Sequence, residues 1–452
     1  MATLSAAVRE PAPLLPGRLR NTRQFISEPI GFFTAATARR GDVFRFQLVN
    51  ATLVGLTHPR HIKRVLQDRQ ANFVRDTQMY DIIEPFVGRG LATIADHDRW
   101  RRNRRIAQPA FDHKKLDTLA EIMASEVSAL CDEWAGHARA GRQVDLVEQM
   151  SLLTLRIVVR SLFGLEPNGP EVAGFAHAAK QANAELGRFV RMPLVPLSVP
   201  TPSHRRFWRA IRDMDAIVYG VINRLRDTDS EGLLSMFMRA ADPDTDERMT
   251  DRELRDEVVT MLFAGHETSS SALTSALLLL QAHPDVRERL RADVDATLGG
   301  RPATAADLPA LPFGRQVLEE VLRLRPPAWM GQRSAVADDE IGGYLVPAGT
   351  TVMYSYYHAH RNPECWERPE DFNPNRFADK TVARDRNIYL PFGAGGHLCI
   401  GQAFAMMEMQ LALAAITARF EVTIPDPDYT PMSALTLNAK YPVLATLTER
   451  AG

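Results

Sequence analysis

The chain has 452 residues, of which 45% are hydrophobic and 24% charged, and its formal net charge at pH 7 is -1. That composition excludes a disordered or fibrous protein, and a charge so close to zero gives no reason to expect a nucleic acid as partner. The three cysteines, Cys131, Cys365 and Cys399, are far apart and odd in number. A disulfide framework is therefore disfavoured, and a reducing, cytoplasmic setting is expected.

The N-terminal segment, residues 1–25, is rich in proline and arginine and predicts a loose leader. It holds no apolar run long enough for a signal peptide or a membrane anchor. The longest uncharged, apolar-leaning stretch, 268–281, is shorter than the ~18–20 residues that a membrane span needs. No linker-like or repeated segment follows, so residues 26–452 are predicted to form one domain.

Two strand-like segments, 43–49 and 51–56, predict a small hairpin. From Pro59 onward the periodicity is mostly helical, and short strand signals return at 341–354 and 435–447. The predicted fold class is therefore mainly α with a minor β region.

The clearest predicted helix begins after Thr250, because Thr250 and Glu253 have the spacing of a capping box. Its apolar pattern runs to Leu280, and Pro284 stops it. About 30 residues at 1.5 Å each make a rod of roughly 45 Å. A helix that is apolar on most faces should cross the core.

The middle of this helix reads Ala264-Gly265-His266-Glu267-Thr268. A carboxylate in an apolar helix needs a reason, because burying it is costly. The Thr268 hydroxyl can donate to the Ala264 carbonyl four residues back, and Gly265 leaves space for a flat ligand. His266 is expected to be structural. A kinked helix with a packing face of small polar residues is the alternative interpretation.

A glycine-rich loop, 391–398, leads to Cys399, and an apolar helical pattern follows at 403–420. Glycine permits close approaches that a side chain would block, and the helix N-terminus and loop amides favour an anionic sulfur. One cysteine cannot build a structural zinc site, which usually needs four ligands. Cys399 is therefore a candidate thiolate ligand, and a buried cysteine in a tight turn is the alternative.

The loop resembles the haem-binding signature of the cytochrome P450 family, which Phe392, Gly395, His397, Cys399 and Gly401 match position by position. The mid-helix segment matches the oxygen-activating segment of that family. The resemblance extends from about residue 40 to the end of the chain. It implies the cytochrome P450 fold, with heme b between the long central helix and the cysteine-loop helix. Cys399 would be the axial iron ligand, whose thiolate favours O–O cleavage.

The resemblance also implies roles for individual residues. Thr268 would support oxygen activation, and Glu267 would relay protons to it. The other cofactor-binding residues would be those that contact haem propionates or lie against the haem, namely Trp100, Arg104, Arg333, His397, Phe392, Gly395 and Gly265.

A charged cluster is implied by two further motifs. Glu320 and Arg323 are three residues apart on one face of a predicted helix, and Arg376 lies in the Pro374–Phe377 segment that the family pairs with them. The expected arrangement is a buried, structural Glu–Arg–Arg cluster. A solvated surface ion pair is the alternative.

Family analogy places the substrate against several apolar segments. The predicted pocket residues are Phe86, Val87, Leu194, Phe263, Ala264, Ala328, Trp329, Met330 and Leu435. Since no fixed charge is among them, the substrate should be an apolar small molecule such as a terpenoid, a steroid-like compound or a fatty acid.

The resemblance implies hydroxylation or epoxidation that depends on O2 and NAD(P)H, with electrons from a ferredoxin or flavodoxin and its reductase. Arg101, Arg105, Lys114 and Lys115 are candidates for the docking patch of such a partner, or form an ordinary solvated face. Two alternatives remain open: a peroxide-driven haem-thiolate peroxygenase, and a non-catalytic haem-binding protein.

Overall fold

The fold is described from a computed structural model. The described residues are 10–164, 197–226, 232–379, 387–427, 430–433, 435–450 and isolated positions between these ranges. By its internal contacts the chain divides into two compact units, which are described one after the other. The single domain expected for residues 26–452 stays a prediction.

The α-helices of the described residues are α1 (Arg18–Ser27), α2 (Pro29–Arg40), α3 (Pro59–Lys63), α4 (Gln78–Val87), α5 (His97–Ala107), α6 (His113–Arg139), α7 (Leu146–Phe163), α8 (Pro202–Arg226), α9 (Leu233–Arg239), α10 (Asp251–Ala282), α11 (Pro284–Leu298), α12 (Pro312–Leu324), α13 (Tyr356–Ala359) and α14 (Gln402–Arg419). The strands are β1 (Leu14–Leu15), β2 (Val43–Gln47), β3 (Thr52–Leu56), β4 (Phe73–Val74), β5 (Val144–Asp145), β6 (Met330–Ala335), β7 (Asp339–Ile341), β8 (Tyr344–Val346), β9 (Thr351–Ser355), β10 (Phe420–Thr423), β11 (Pro431–Ser433), β12 (Leu437–Ala439) and β13 (Leu444–Glu449).

The first unit comprises residues 1–77, 328–371 and 380–399 and contains a six-stranded sheet in the order β1-β2-β3-β9-β6-β4. The predicted hairpin is confirmed, because β2 and β3 pair antiparallel. Gly55 in β3 is needed for this packing, since a Cβ there would lie 2.5 Å from the Phe44 ring. An aromatic core that includes Phe32, Phe33 and Phe46 packs around the same ring.

Part of the expected leader is folded. Leu14–Leu15 form β1, which pairs in parallel with β2, and the buried Asn21 of α1 donates from its side chain to the Leu15 carbonyl at 3.0 Å. The expectation of a loose segment is therefore wrong for residues 10–25, and residues 1–9 lie outside the described range. Leu15 belongs to the aromatic core, a contact that the proline- and arginine-rich composition did not reveal.

The second unit comprises residues 78–327, 372–379 and 400–452, and α10 is its longest described helix. The predicted capping box is confirmed: the Glu253 N–H donates to Thr250 Oγ1 at 3.3 Å, and the Thr250 N–H donates to Glu253 Oε2 at 2.9 Å. The helix spans 32 residues, and Pro284 begins the next one. Because α7, α8, α12 and α14 pack against it, α10 crosses the core of this unit.

Smaller strands complete the second unit. β10, β13 and β5 form one sheet, and β11 pairs antiparallel with β12 in a short hairpin. In the part of the chain that the structure describes, no helix is both long and apolar enough to cross a membrane.

Candidate active site

The cysteine loop is a tight turn in the first unit. Residues Gly395–His397 form a single 3-10 turn, after which the Cys399 N–H donates to the Phe392 carbonyl at 2.9 Å. The Cys399 side chain is exposed. The backbone bond therefore fixes the residue while its sulfur remains accessible to a ligand.

Gly395 is required by a close approach of two backbone segments. Its φ is +68°, and a Cβ would lie 1.9 Å from the Leu66 carbonyl oxygen. The next residue, Gly396, donates its N–H to Gln70 Oε1 at 2.8 Å. The predicted need for glycine is thus explained by contact with residues 64–72.

The three cysteines differ in what they can do. Burial raises the pKa of the Cys131 thiol to about 12 and also raises the pKa of the Cys365 thiol, whereas Cys399 is exposed. A thiolate ligand has to be accessible and ionisable, so Cys399 is the candidate. Within the described ranges, no group of three or more His, Cys, Asp and Glu side chains is arranged to hold a metal ion.

Two other predicted site residues, His397 and Arg333, also lie in the first unit. His397 closes the 3-10 turn and is half-buried. Arg333 lies on β6, where the residue is 5% exposed and its Nη1 donates to the Gln332 carbonyl at 2.7 Å. A buried guanidinium is favourable only with strong hydrogen-bond or anionic partners, which fits the expected contact with an acidic group.

The predicted pocket residues of the first unit are not equivalent. Ala328 is exposed, but Trp329 is only 2% exposed and Met330 packs against the aromatic core around Phe46. Trp329 is thus buried and Met330 is half-buried in this unit, and their contact with a substrate stays a prediction. The alternation of side chains along β6 could not be assigned to faces without the sheet order.

In the second unit the middle of α10 has the predicted hydrogen bond, since Thr268 Oγ1 donates to the Ala264 carbonyl at 2.6 Å. Residues 253–260 and 269–280 are buried on both sides of this point, whereas residues 263–268 are half-buried or, at Ala264, exposed. An accessible stretch in the middle of a buried helix offers a flat group a surface to lie against. This accessible stretch is the observation that agrees with a haem lying against the helix.

The Glu267 carboxylate is held from outside its own helix. Thr436 Oγ1 donates to Glu267 Oε2 at 3.0 Å, and Asn438 Nδ2 donates to Thr436 Oγ1 at 2.9 Å. Glu267 is half-buried and Thr436 is buried. This partner could not be predicted, because 169 residues separate the two side chains in the chain.

His266 and Gly265 face a neighbouring helix. His266 Nε2 lies 2.8 Å from Ser151 Oγ on α7, and burial lowers the pKa of the imidazole to about 4. A Cβ on Gly265 would lie 3.0 Å from Val158 Cγ2, also on α7. The structural role expected for His266 fits this contact. A side chain at Gly265 would therefore point towards α7, and the expected contact of Gly265 with a flat ligand stays a prediction.

Trp100 and Arg104 lie on α5, which Asp96 caps by accepting from the Arg99 N–H at 2.8 Å. Trp100 is buried and stacks on His97 with a centroid distance of 5.8 Å. Arg104 is half-buried, and its Nε donates to Gln108 Oε1 at 2.9 Å.

The charged cluster is buried in the second unit. Arg323 donates from Nε and Nη2 to the two oxygens of Glu320 at 2.7 and 2.9 Å, and both residues are 0% exposed. Arg376 Nε and the Asn373 N–H donate to Glu320 Oε1 at 3.3 and 2.8 Å. The buried arrangement therefore prevails over the surface pair.

The proposed basic patch is less free than its sequence suggests. Arg105 forms a two-pronged ion pair with Asp242, at 2.6 Å from Nε and 2.7 Å from Nη2. Arg101, Lys114 and Lys115 are exposed. Arg105 is thus a structural cation, and the remaining three are the accessible ones.

Three buried carboxyls were not anticipated. Asp256 accepts from the Arg89 N–H at 2.9 Å, and Glu257 accepts from the Leu91 N–H at 3.0 Å. Burial raises the pKa of Glu257 to about 7. Burial also raises the pKa of Glu408, on α14, well above its ordinary value. In the sequence, the sign of these buried carboxyls is an acidic residue inside an apolar helical pattern.

The apolar contacts of the second unit include an aromatic pair. The rings of Phe86 on α4 and Phe263 on α10 meet edge to face, with centroids 5.6 Å apart. Val87 is buried and Leu435 is half-buried. Leu194 lies outside the described residues.

The sequence model of the family described as Cytochrome P450 matches residues 15–444. Cyclooctat-9-en-7-ol 5-monooxygenase of Streptomyces melanosporofaciens is 34% identical over 394 residues, which are 86% of this chain and 84% of that relative. Pentalenene oxygenase of Streptomyces avermitilis is 31% identical over 422 residues, 92% of this chain and 91% of that relative.

Among solved structures, the crystal structure of the cytochrome P450DA heme domain superposes with a TM-score of 0.89 and 27% sequence identity. The superposition covers 98% of this chain and 98% of the chain in that structure. The predicted fold class, mainly α with a minor β region, is therefore confirmed.

Proposed function

Because this chain belongs to the cytochrome P450 family and is a haem-thiolate monooxygenase, we propose that it inserts one oxygen atom of O2 into an apolar terpenoid. The substrate class is inferred from the names of two relatives, one of which is named for cyclooctat-9-en-7-ol and the other for pentalenene. Hydroxylation is the proposed outcome, and epoxidation would use the same residues. Both relatives match along most of their own length, so the analogy is not confined to a short segment of either protein.

Family membership implies a haem with a cysteine thiolate ligand, and the ligand here is proposed to be Cys399. Its exposed thiol, fixed by the bond between its N–H and Phe392, is the observation that carries this assignment. The bound haem supplies the activation of O2, which thiolate donation favours. Gly395 keeps the loop in place by allowing the contact with Leu66.

The propionates are proposed to be held by Trp100, Arg104, Arg333 and His397. A guanidinium forms charge-assisted hydrogen bonds with a carboxylate, and the indole N–H is a donor. The buried position of Arg333 and of the Trp100 ring suits an anion that is itself shielded from water. His397 is a weaker donor when neutral, so its contribution should depend on pH.

Thr268 and Glu267 are proposed to manage oxygen and protons. The Thr268 hydroxyl is fixed by its bond to Ala264, which leaves its lone pairs oriented away from that carbonyl. Glu267, half-buried, can take a proton from water and pass it on, and positioned acid–base groups of this kind typically contribute ~10²–10⁴-fold.

The proposed substrate contacts are Phe86, Val87, Phe263, Ala264, Ala328, Leu194 and Leu435. The group has no formal charge, which favours a hydrocarbon skeleton over a polar substrate. The edge-to-face pair of Phe86 and Phe263 gives this set a rigid aromatic surface. Electrons are proposed to come from NAD(P)H through a ferredoxin or flavodoxin and its reductase, in the cytoplasm.

The first test of this proposal is spectroscopic. Wild type and Cys399→Ala are reduced with dithionite under carbon monoxide and compared. The long-wavelength band of a thiolate-ligated haem should be present in the wild type and lost in the variant. Haem uptake without that band in the wild type would contradict the proposed ligand.

The second test concerns the reaction. Pentalenene and lauric acid are offered with a surrogate ferredoxin, its reductase and NADPH, and separately with hydrogen peroxide alone. Oxidation of pentalenene in the complete system supports the proposal. Preference for lauric acid would contradict the terpenoid class, and equal turnover with peroxide alone would favour the peroxygenase. No turnover under any condition would favour a haem-binding protein.

A further inference from the structure

The hydrogen bond to Glu267 has a defined direction. Thr436 has one hydroxyl proton, which it donates to Glu267 Oε2, while its oxygen accepts from Asn438 Nδ2. Since an amide NH2 can only donate, the hydroxyl of Thr436 has to point its proton towards the carboxylate. The chain Asn438, Thr436, Glu267 is therefore polarised towards Glu267, and such chains strengthen each bond.

The turn that carries Thr436, residues 435–437, is fixed by other contacts. The Ser271 hydroxyl on α10 donates to the Leu437 carbonyl, and the Leu437 N–H donates to the Pro327 carbonyl at 2.9 Å. Leu437 also begins β12, where it pairs with Ser433. None of these three contacts involves the Thr436 side chain, so removing its hydroxyl should leave the turn in place.

We propose that Thr436 is a positioning residue for oxygen activation, which holds the Glu267 carboxylate in one orientation through a hydroxyl that Asn438 orients. This inference rests on the proton-relay role of Glu267 in the proposed function. Glu267 lies on the accessible part of α10, where a long side chain has several rotamers, and a fixed donor selects among them. The bond also stabilises the ionised carboxylate, because it favours the charged form.

The same turn gives the arrangement a second consequence. Leu435, a proposed substrate contact, is the neighbour of Thr436 in the chain, so the donor to Glu267 and an apolar contact are set by one short segment. A substrate that displaces this turn would also alter the hold on Glu267. Substrate fit and the orientation of Glu267 would therefore both depend on this turn.

The decisive experiment is an infrared pH titration of the haem-loaded protein, which needs no substrate. The carboxyl band that is missing in Glu267→Gln identifies Glu267. In Thr436→Val its midpoint should move to higher pH by about one unit, since a hydrogen bond to a charged group is lost. Thr436→Ser should restore the wild-type midpoint, because it restores the hydroxyl.

Thr274→Val is the matched control. Thr274 is likewise buried and lies on α10, and its hydroxyl has no hydrogen-bond partner in the part of the chain that the structure describes. Like Thr436→Val, this substitution replaces a threonine hydroxyl with a methyl group, but it should leave the midpoint of the Glu267 titration unchanged. An unchanged midpoint in Thr436→Val, or an equal shift in both valine variants, would overturn the proposal.

Turnover of pentalenene, or of whichever probe the wild type oxidises, separates the inference from the proposed function. Product formed per NADPH should fall about tenfold in Thr436→Val at unchanged KM, return in Thr436→Ser, and fall further in Glu267→Gln. Wild-type coupling in Glu267→Gln would refute the proton relay itself, and with it a catalytic purpose for Thr436. Loss in Glu267→Gln with none in Thr436→Val would refute only the positioning role.

Discussion

The Thr268 hydroxyl donates to the Ala264 carbonyl across one helical turn, at 2.6 Å, in the accessible stretch of α10, residues 263–268, that lies between two buried stretches. A threonine bonded in this way competes with the backbone ladder and can bend the helix. The hydroxyl is therefore held in a fixed position beside an accessible surface. That position is what the proposed oxygen chemistry requires.

Thr268→Ala should uncouple NAD(P)H consumption from product formation. The expected loss is about tenfold in product per NADPH, the equivalent of one good hydrogen bond, with a matching rise in hydrogen peroxide. Thr268→Ser keeps the hydroxyl and is the control. Product, peroxide and NADPH are measured together, and an unaltered ratio in Thr268→Ala would refute the role of this hydroxyl.

Gly395→Ala should weaken haem retention far more than Gly393→Ala. Both glycines have a positive φ, of 68° and 74°, so both substitutions strain the backbone. Only at Gly395 would the new Cβ also collide with backbone, 1.9 Å from the Leu66 carbonyl, whereas at Gly393 the nearest atom is 3.5 Å away. Haem content per protein after gel filtration checks this, and equal losses would show that the collision is unimportant.

Glu257→Gln should remove part of the pH dependence of stability. Burial raises the pKa of Glu257 from 4.5 to about 7, so between these values the folded protein keeps a proton that the unfolded chain has released. Stability should therefore fall as pH rises from about 4.5 to 7, by roughly 3 kcal/mol from this group, and level off above.

The difference in stability between wild type and Glu257→Gln isolates the contribution of Glu257, because buried histidines change the stability of both proteins in the opposite direction. Burial lowers the pKa of His61 and His266 to about 4 and that of His358 to about 3, which makes stability rise with pH in the same window. Urea unfolding of wild type and Glu257→Gln at pH 5, 6, 7 and 8 measures the difference. Parallel curves would contradict the assignment.

Glu320→Gln should destabilise the protein by about 3–5 kcal/mol, because it leaves Arg323 buried without its anion. The control is Asp371→Asn, which breaks the exposed pair of Arg368 and Asp371 and should cost less than about 1 kcal/mol. Thermal or urea unfolding of the three proteins provides the comparison. A loss in Glu320→Gln as small as in the control would mean that the cluster contributes little.

Features with a strong local signal were predictable. The capping box fixed the start of α10 at Thr250 because both of its hydrogen bonds join residues three apart, and Pro284 ended the pattern for an equally local reason. The bond between Thr268 and Ala264 could be anticipated since it lies within one helical turn. The glycines before Cys399 likewise predict a tight loop.

The features that the sequence does not reveal share one physical cause. Helical periodicity tells which residues share a face but not which neighbour covers that face, so it does not show that α7 packs against Gly265 through Val158. The burial of Trp329 and the contact of Met330 with the aromatic core depend in the same way on neighbouring segments. The folding of Leu14–Leu15 as a strand is hidden as well, because two leucines in a polar segment carry little signal until β2 is placed beside them.

Three features could be predicted from the amino-acid sequence alone: a long capped helix, a cysteine in a glycine-rich turn, and an acid next to a hydroxyl on α10. These depend on bonds between residues close in the chain. The fold alone shows which distant groups meet, such as the Thr436 hydroxyl with Glu267 and the Leu91 N–H with Glu257, across 169 and 166 residues. Such contacts arise when distant segments pack together, and no short-range pattern specifies them.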